Sequence, residues 1–496
     1  MDHTIIRKYD IRGVVGKDLH IDDGYEIGRK FGQNVVNRPL SKHASGGQML
    51  EAYGAENRSV LDIHEDLSTG ATTQLPLEVE FRKRSNVCVG YDSRITSPSI
   101  EKELIRGLTL SGANVIRVGL CSSPMLYAAT QIMQADLGII ITASHNPSEY
   151  NGFKFFSSKK IFSDQEIKEV INSSIKDSIK IGSIININIY SQYISILKSA
   201  LKNNTERKLK IAWDCGNSPA SGIIRYIEKI LPGHTHIVTN NSIDGAFPLH
   251  DPDPIEEKNL AQLIDIVKEL GCDLGIALDG DSDRIRLIDN NGNVVSNDHL
   301  FMIFAREALK EYPESKVVAN IKMSMKVHDF VSKLGGQVIT CATGHSLVKK
   351  KMVEENAKFA GELSGHFFFS ELGFDDGLYS AIKAVNILLE DQQSLFQIID
   401  DLPKLYITHE VKIVVKDEKK FQIIESIKKI LEKQNIVFSD IDGVKVISDN
   451  HKDWWLLRAS NTQNCITARC EGDTLEGFEL TKKVLCHYID EATSLN

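Results

Sequence analysis

The chain has 496 residues, 42% hydrophobic and 25% charged, with a formal net charge of -9. That balance is that of a soluble globular protein, long enough for three or four domains of ~100 to 200 residues. It excludes disorder as the default and a general nucleic-acid or membrane surface, since phosphate polymers demand a broad basic face and an anionic substrate must here meet locally clustered cations.

The first third alternates strand-like apolar runs with helical patterns: strands over 86–91, 113–119 and 137–141, with helices over 97–111 and from Pro124. Such alternation predicts a mainly parallel sheet covered by helices. The pattern recurs with strands at 208–213, 236–238 and 274–278 around a helix at 260–270. A third round has strands at 317–321, 337–340 and 358–360 with helices to 334 and over 345–356. The last ninety residues differ, with strands at 405–415, 443–448, 454–459 and 465–470 around a helix at 420–433, which predicts a smaller α+β domain with an antiparallel sheet. The expected fold class is therefore three related α/β domains with mixed, mainly parallel sheets, at 1–190, 191–293 and 294–404, and an α+β domain at 405–496. A polar stretch at about 38–80, containing His43, His64 and Glu65, is expected to be a surface insertion.

Eight scattered cysteines lack paired metal-type spacing and read as thiols in a reducing compartment. No apolar h-region opens the chain and no run reaches membrane-spanning length, so a cytoplasmic protein is expected.

Four motifs carry chemistry. Thr142-Ala143-Ser144-His145-Asn146-Pro147 follows the apolar run 137–141, so Ser144 is presented at a strand end, where α/β sheets place functional groups. Asp279-Gly280-Asp281-Ser282-Asp283-Arg284 follows another. Three converging carboxylates repel unless a cation stabilises them, and hard oxygen ligands point to Mg²⁺. An EF-hand also begins D-x-D-x-D, but Arg284 stands where it needs Gly and Asn290 where it needs Glu. Arg284 beside the acidic cluster suits a phosphoryl group, which makes Ser144 a candidate phosphoryl carrier. In Gly361-Glu362-Leu363-Ser364-Gly365-His366 an extended backbone would put Glu362, Ser364 and His366 on one face to meet sugar hydroxyls. Arg458-Ala459-Ser460-Asn461-Thr462, at a further strand end, offers a guanidinium, hydroxyls and an amide as an anion nest.

With these motifs in this order, the chain resembles the α-D-phosphohexomutase family, and within it the bacterial phosphomannomutase/phosphoglucomutase branch. The resemblance runs from Tyr9-Asp10-Ile11-Arg12-Gly13 through Gly90-Tyr91-Asp92-Ser93-Arg94, the Ser144 segment to Lys154, Asp279–Arg284, Thr343-Gly344-His345, Gly361–His366 and Phe374-Asp375-Asp376-Gly377 to Arg458–Thr462. It implies four domains around a central cleft and an isomerase that interconverts hexose 1-phosphate and 6-phosphate, with mannose and glucose as sugars. Ser144 would carry the phosphoryl group and, with Asp279, Asp281 and Asp283, bind Mg²⁺, while hexose 1,6-bisphosphate would serve as intermediate and activator. Glu362 and Ser364 would contact sugar hydroxyls, with Tyr9, Arg94, Lys322 and His366 as further substrate contacts, and Arg458, Ser460, Asn461 and Thr462 would grip the distal phosphate. Lys154, Arg12 and His345 would share acid/base and electrostatic roles with Arg284. His145 is expected to be positional, since adjacent side chains in an extended segment point apart.

The implied partners are small sugar phosphates, with no nucleic acid or membrane, for a monomer or small homo-oligomer. Alternatives within reach are a phosphoglucosamine mutase, disfavoured by Leu363 where such enzymes commonly carry Gln, and a non-catalytic sugar-phosphate sensor. Gln463-Asn464 stands where the family usually has a proline soon after the phosphate loop.

Overall fold

The computed structural model describes residues 5–7, 9–37, 85–157, 162–178, 180–202, 206–449, 452–460 and 464–494. The expected insertion at 38–80 and two expected phosphate contacts, Asn461 and Thr462, lie outside them. The chain forms two compact units, 1–295 with 365–395 and 296–364 with 396–496.

In the first unit, β1 (Asp10–Val14), β2 (Asn86–Tyr91), β3 (Asn114–Leu120), β4 (Leu137–Ile141), β5 (Tyr150–Phe156) and β6 (Ile184–Asn186) form one sheet in the order β1-β5-β4-β2-β3-β6. The four inner-to-edge strands β4, β2, β3 and β6 are parallel, and β5 returns antiparallel between β4 and β1. All five residues of β4 are buried, which explains its uninterrupted apolar run. The helices Asp23–Asn37 and Ser97–Leu110 cross at glycines. A Cβ on Gly28 would lie 2.3 Å from the Leu104 carbonyl oxygen and one on Gly107 2.2 Å from that of Tyr25, so only glycine allows this approach.

A second sheet in the same unit has β7 (Lys210–Asp214), β8 (Thr235–Thr239) and β9 (Leu274–Leu278) parallel, with β10 (Ile285–Ile288) antiparallel beside β9. The β9–β10 connection is the acidic motif. The helix Gly377–Glu390 also belongs to this unit. It is buried almost all round and capped by Asp376, whose Oδ1 accepts from the Tyr379 N–H at 3.0 Å.

The second unit contains a parallel sheet in which β11 (Lys316–Asn320) lies between β12 (Gln337–Cys341) and β13 (Phe359–Gly361). It ends in an antiparallel sheet of β15 (Tyr406–Ile407), β16 (Val411–Val414), β17 (Val444–Ile447), β18 (Trp454–Ala459) and β19 (Cys465–Gly472), β14 (Phe367–Phe369) having already fallen in the first unit. Period-two alternation in β18 divides two cores. Trp455, Leu457 and Ala459 join Ile427 and Leu431 of the helix Asp417–Lys433 and Tyr488 of the helix Leu475–Ser494, while Trp454 and Leu456 pack with Ile321 on the other face. The single strand expected at 405–415 is two short ones, β15 and β16, both paired with β19. The break holds Glu410, whose carboxylate accepts from Lys322 Nζ at 3.0 Å instead of continuing the strand pattern.

The fold is thus three α/β domains with mixed sheets and a C-terminal domain with an antiparallel sheet. No helix among the described residues is long and apolar enough to cross a membrane.

Candidate active site

Ser144 adopts φ +53°, the left-handed region that costs a non-glycine residue about 1 kcal/mol or more unless its surroundings over-determine it. They do. Its N–H donates to Thr142 Oγ1 at 2.8 Å, and that hydroxyl donates to Asp92 Oδ2 at 2.7 Å. Arg94 Nε donates to the same Asp92 oxygen at 3.0 Å. Its Nη1 reaches the carbonyls of Pro147 at 2.6 Å and Tyr150 at 3.0 Å, and its Nη2 those of Ser144 at 2.8 Å and Asn146 at 2.6 Å. These bonds use all five guanidinium N–H donors, and the side chains of Arg94 and Asp92 are fully buried. Arg94, expected to bind substrate, therefore has no donor left for one and instead clamps the serine loop.

The acidic loop meets that serine. Ser144 Oγ donates to Asp279 Oδ2 at 2.8 Å. A Cβ on Gly280 would stand 2.5 Å from the Ser144 carbonyl oxygen, so glycine is required where the two loops touch. Asp279, Asp281 and Asp283 are 0% exposed, and their ligand atoms lie within 4.8 Å of one another. Lys154, from β5, donates to Asp281 Oδ2 at 2.5 Å and Asp283 Oδ2 at 2.6 Å, and Ser123 Oγ donates to Asp281 Oδ2 at 2.5 Å. Burial, then Asp281 and Asp283, push the Asp279 carboxyl well above its usual range. Asp281 is held below it: burial and Asp283 act upward, but Lys154 and Ser123 prevail. Asp281 Oδ1 is buried without a hydrogen-bond partner. A crowded, dry carboxylate set with an unsatisfied oxygen fits a hard divalent cation.

Lys154 itself is pulled down by burial, but Asp281 and Asp283 hold its pKa well above the ordinary lysine value. As the carboxylates' buried counter-charge it is placed for the electrostatic part of the role expected of it. Arg12 Nη2 pairs with Asp10 Oδ2 at 2.6 Å and its Nη1 donates to Asn146 Oδ1 at 2.5 Å, a second tie on the serine loop. Tyr9 immediately precedes β1, the strand that carries Arg12. The positive φ of Ser144 overturns the extended-segment premise for His145: its Nδ1 lies 3.4 Å from Ser144 Oγ. Burial, followed by Arg284, Arg12 and Lys154, holds this imidazole well below its ordinary pKa, so it is neutral at neutral pH.

Arg284 closes the loop, its N–H on Asp279 Oδ1 at 3.2 Å and its Nε on His366 Nε2 at 3.0 Å. The extended segment expected to align His366 with Glu362 and Ser364 is interrupted by a turn over 363–364 and by Gly365 at φ +88°. His366 consequently belongs to the first unit, where it accepts from Arg284 Nε and lies in ion-pair contact with Asp375, rather than beside the sugar-type pair.

In the second unit, Glu362 Oε1 accepts from the Gly344 N–H at 2.7 Å and from Asn320 Nδ2 at 3.3 Å, while Ser364 Oγ donates to Glu362 Oε2 at 3.4 Å. Gly344, at φ +137°, caps the helix His345–Glu354, so Glu362 sits beside its N-terminus and His345. The next residue back, Thr343, donates its N–H to Asp442 Oδ2 at 3.0 Å, the oxygen that Arg458 Nε reaches at 3.1 Å. One polar chain thus connects Glu362 with Arg458. Ser460 follows β18 and donates its N–H to the Cys465 carbonyl at 2.9 Å. Lys322, expected to contact substrate, is paired with Glu410, which Lys322 holds at a pKa of about 2 against the upward push of burial.

Asp442, Glu410, Ser123 and Asp375 were not anticipated. Two of them carried a signal: Asp375 lies in the Phe374–Gly377 motif, and Asp442 in an Asp442-Gly443 turn with Gly443 at φ +90°.

Comparison with known proteins agrees with this layout. Family models for phosphoglucomutase/phosphomannomutase α/β/α domains I, II and III match residues 62–181, 190–292 and 296–406. A phosphomannomutase/phosphoglucomutase of Pseudomonas syringae pv. tomato is 37% identical, the match covering 96% of this chain and 93% of that one. One of Pseudomonas aeruginosa is 34% identical over 97% and 94%. The crystal structure of a phosphoglucomutase/phosphomannomutase family protein from Burkholderia thailandensis superposes with a TM-score of 0.81 at 27% identity, covering 99% of this chain and 98% of that one. By its matched domains and by relatives similar along nearly its whole length, the chain belongs to the phosphoglucomutase/phosphomannomutase family of α-D-phosphohexomutases.

Proposed function

We propose that the chain interconverts hexose 1-phosphate and hexose 6-phosphate, with mannose and glucose as sugars, in the cytoplasm, through phosphorylated Ser144 and a hexose 1,6-bisphosphate. The observation that carries this reading is Ser144 itself: a strained, braced serine with its Oγ 2.8 Å from the buried carboxylate cluster. Asp279, Asp281, Asp283 and the Ser144 oxygen would hold Mg²⁺, which supplies positive charge to the transferring phosphoryl group when bound.

The free hydroxyl of the bound monophosphate attacks phosphorus as the Ser144 Oγ–phosphorus bond breaks. The proton lost by the sugar hydroxyl is matched by the one Ser144 regains. Lys154 and Arg284 offset charge on the phosphoryl oxygens, and Arg94, Arg12 and Thr142 keep Oγ in line. The bisphosphate then turns end for end, and its other phosphate returns the phosphoryl group to Ser144. Recognition must serve both orientations. Glu362 and Ser364 would bind vicinal hydroxyls, with His345 and Lys322 near them, and Arg458, Ser460, Asn461 and Thr462 would hold whichever phosphate is not reacting.

The test is conversion of mannose 1-phosphate to the 6-phosphate with Mg²⁺ and a bisphosphate primer, together with intact-mass detection of a phosphate on Ser144 that substrate removes. No turnover of any hexose phosphate would sink the reading.

A further inference from the structure

We infer that Asp375 is a positioning residue that, through His366, sets the orientation of Arg284 for phosphoryl transfer. The inference rests on the proposed function, in which Arg284 faces the transferring group.

The hydrogen-bond directions are dictated by chemistry. A guanidinium offers donors only, so His366 Nε2, 3.0 Å from Arg284 Nε, must present its lone pair. The neutral ring's proton then sits on Nδ1, which lies 2.7 Å from Asp375 Oδ2 and 3.6 Å from Asp283 Oδ1. Asp375 accepts it. Both side chains are nearly inaccessible, at 4% and 3% exposure. Asp375 is itself anchored by a bridge to Phe368 and by its place before the Asp376 cap of the helix Gly377–Glu390.

With Nε engaged and its own N–H on Asp279, Arg284 keeps Nη1 and Nη2, which have no partner among the described residues, on a side chain 13% exposed. These two nitrogens form a fork that matches phosphoryl oxygens. Without an acceptor for Nδ1–H, the ring can take the other tautomer. Its Nε2–H would then face the Arg284 Nε–H, donor against donor, and displace the fork. Asp283, His366 and Asp375 also have metal-ligand spacing. A cation among them would have to displace the Nδ1 proton that the Arg284 bond requires, so the brace is the better use of these groups.

The experiment compares the full-length chain with Asp375→Ala and Asp375→Asn in steady-state mutase assays, with melting temperatures alongside. Asp375→Ala should lower kcat about 10- to 100-fold with little change in KM, the size typical of outer-shell partners. Asp375→Asn, whose amide oxygen accepts the same proton, should recover most of the rate. Equal rates for Asp375→Ala and wild type, or equal impairment of both variants, would overturn the inference. A second readout needs no variant at Asp375: in ¹⁵N-histidine spectra of the wild type, the resonances missing from His366→Gln should show a protonated Nδ1 and a bare Nε2, and a proton on Nε2 would overturn the brace. An inactive wild type would count against the proposed reaction alone, because the tautomer is read without turnover.

Discussion

The serine region of the first unit and the Glu362–Arg458 region of the second are built to different tolerances. Around Ser144, four main-chain carbonyls are tied to one guanidinium, the serine backbone is held at positive φ, and a missing Cβ at Gly280 lets two loops touch. Around Glu362 one main-chain bond is short, the Gly344 N–H at 2.7 Å, but the side chain–side chain contacts are 3.3 and 3.4 Å, and Arg458 is tied through Nε alone among the described residues. Phosphoryl transfer demands in-line geometry, for which an error of about 1 Å costs on the order of 10²-fold in rate. On the proposed reaction, sugar recognition must instead accept a bisphosphate in two orientations, and hydroxyl–carboxylate contacts that can donate or accept serve that purpose.

That contrast orders the expected effects of mutation. Ser144→Ala removes the carrier and should lower turnover about 10⁴- to 10⁶-fold while abolishing phosphate incorporation by mass; retained turnover would break the comparison at its root. Arg94→Met should come next. It leaves Asp92 as a buried charge without its partner, at about 3 to 5 kcal/mol of stability in urea denaturation, and releases four carbonyls of the serine loop. If the loop brace is its role, substrate affinity should survive in whatever fraction folds. Glu362→Ala should act oppositely, raising KM about 10- to 100-fold, the worth of one or two charge-assisted hydrogen bonds, while phosphorylation of Ser144 by bisphosphate persists. Loss of kcat with unchanged KM would assign Glu362 to chemistry and erase the distinction.

The same contrast explains what could be read from residues alone. Buried strands announced themselves as apolar runs ending in polar turns, so Leu274–Leu278 and Trp454–Ala459 have the bounds expected of them, and the motif residues fall at strand ends. The helix Gly377–Glu390 is not among the expected elements, although its sequence keeps an amphipathic period like that of Ser97–Leu110. The role of Arg94 was illegible because its acceptors are main-chain carbonyls 50 to 56 residues away, which every residue type possesses. Nor does a serine signal positive φ as glycine does, and so the extended backbone expected around His145 is one that the loop does not have. His366 shows the converse error, an alternation counted through a glycine turn.

The smallest effect concerns a charge within the second unit. Lys445 Nζ donates to the Ile321 carbonyl at 2.9 Å and lies 3.9 Å over the Trp454 ring, directly beneath the segment that carries Lys322. Burial lowers its pKa from 10.5 to about 7, with Glu471 and Asp298 acting upward and Arg469 downward. Between those values the unfolded chain holds a proton that the folded chain has released, so stability should rise with pH across about 7 to 10.5, with a slope of at most about 1.4 kcal/mol per pH unit. Below pH 7 both states are protonated and the cost of burying the charge is fully present. Lys445→Met should flatten this slope, as measured by urea denaturation at pH 7 and pH 9, while losing the bond to Ile321. An equal slope in both proteins would mean that another group titrates. A flattened slope would locate a weakly held proton in the recognition half, in contrast to Lys154, which two carboxylates keep charged.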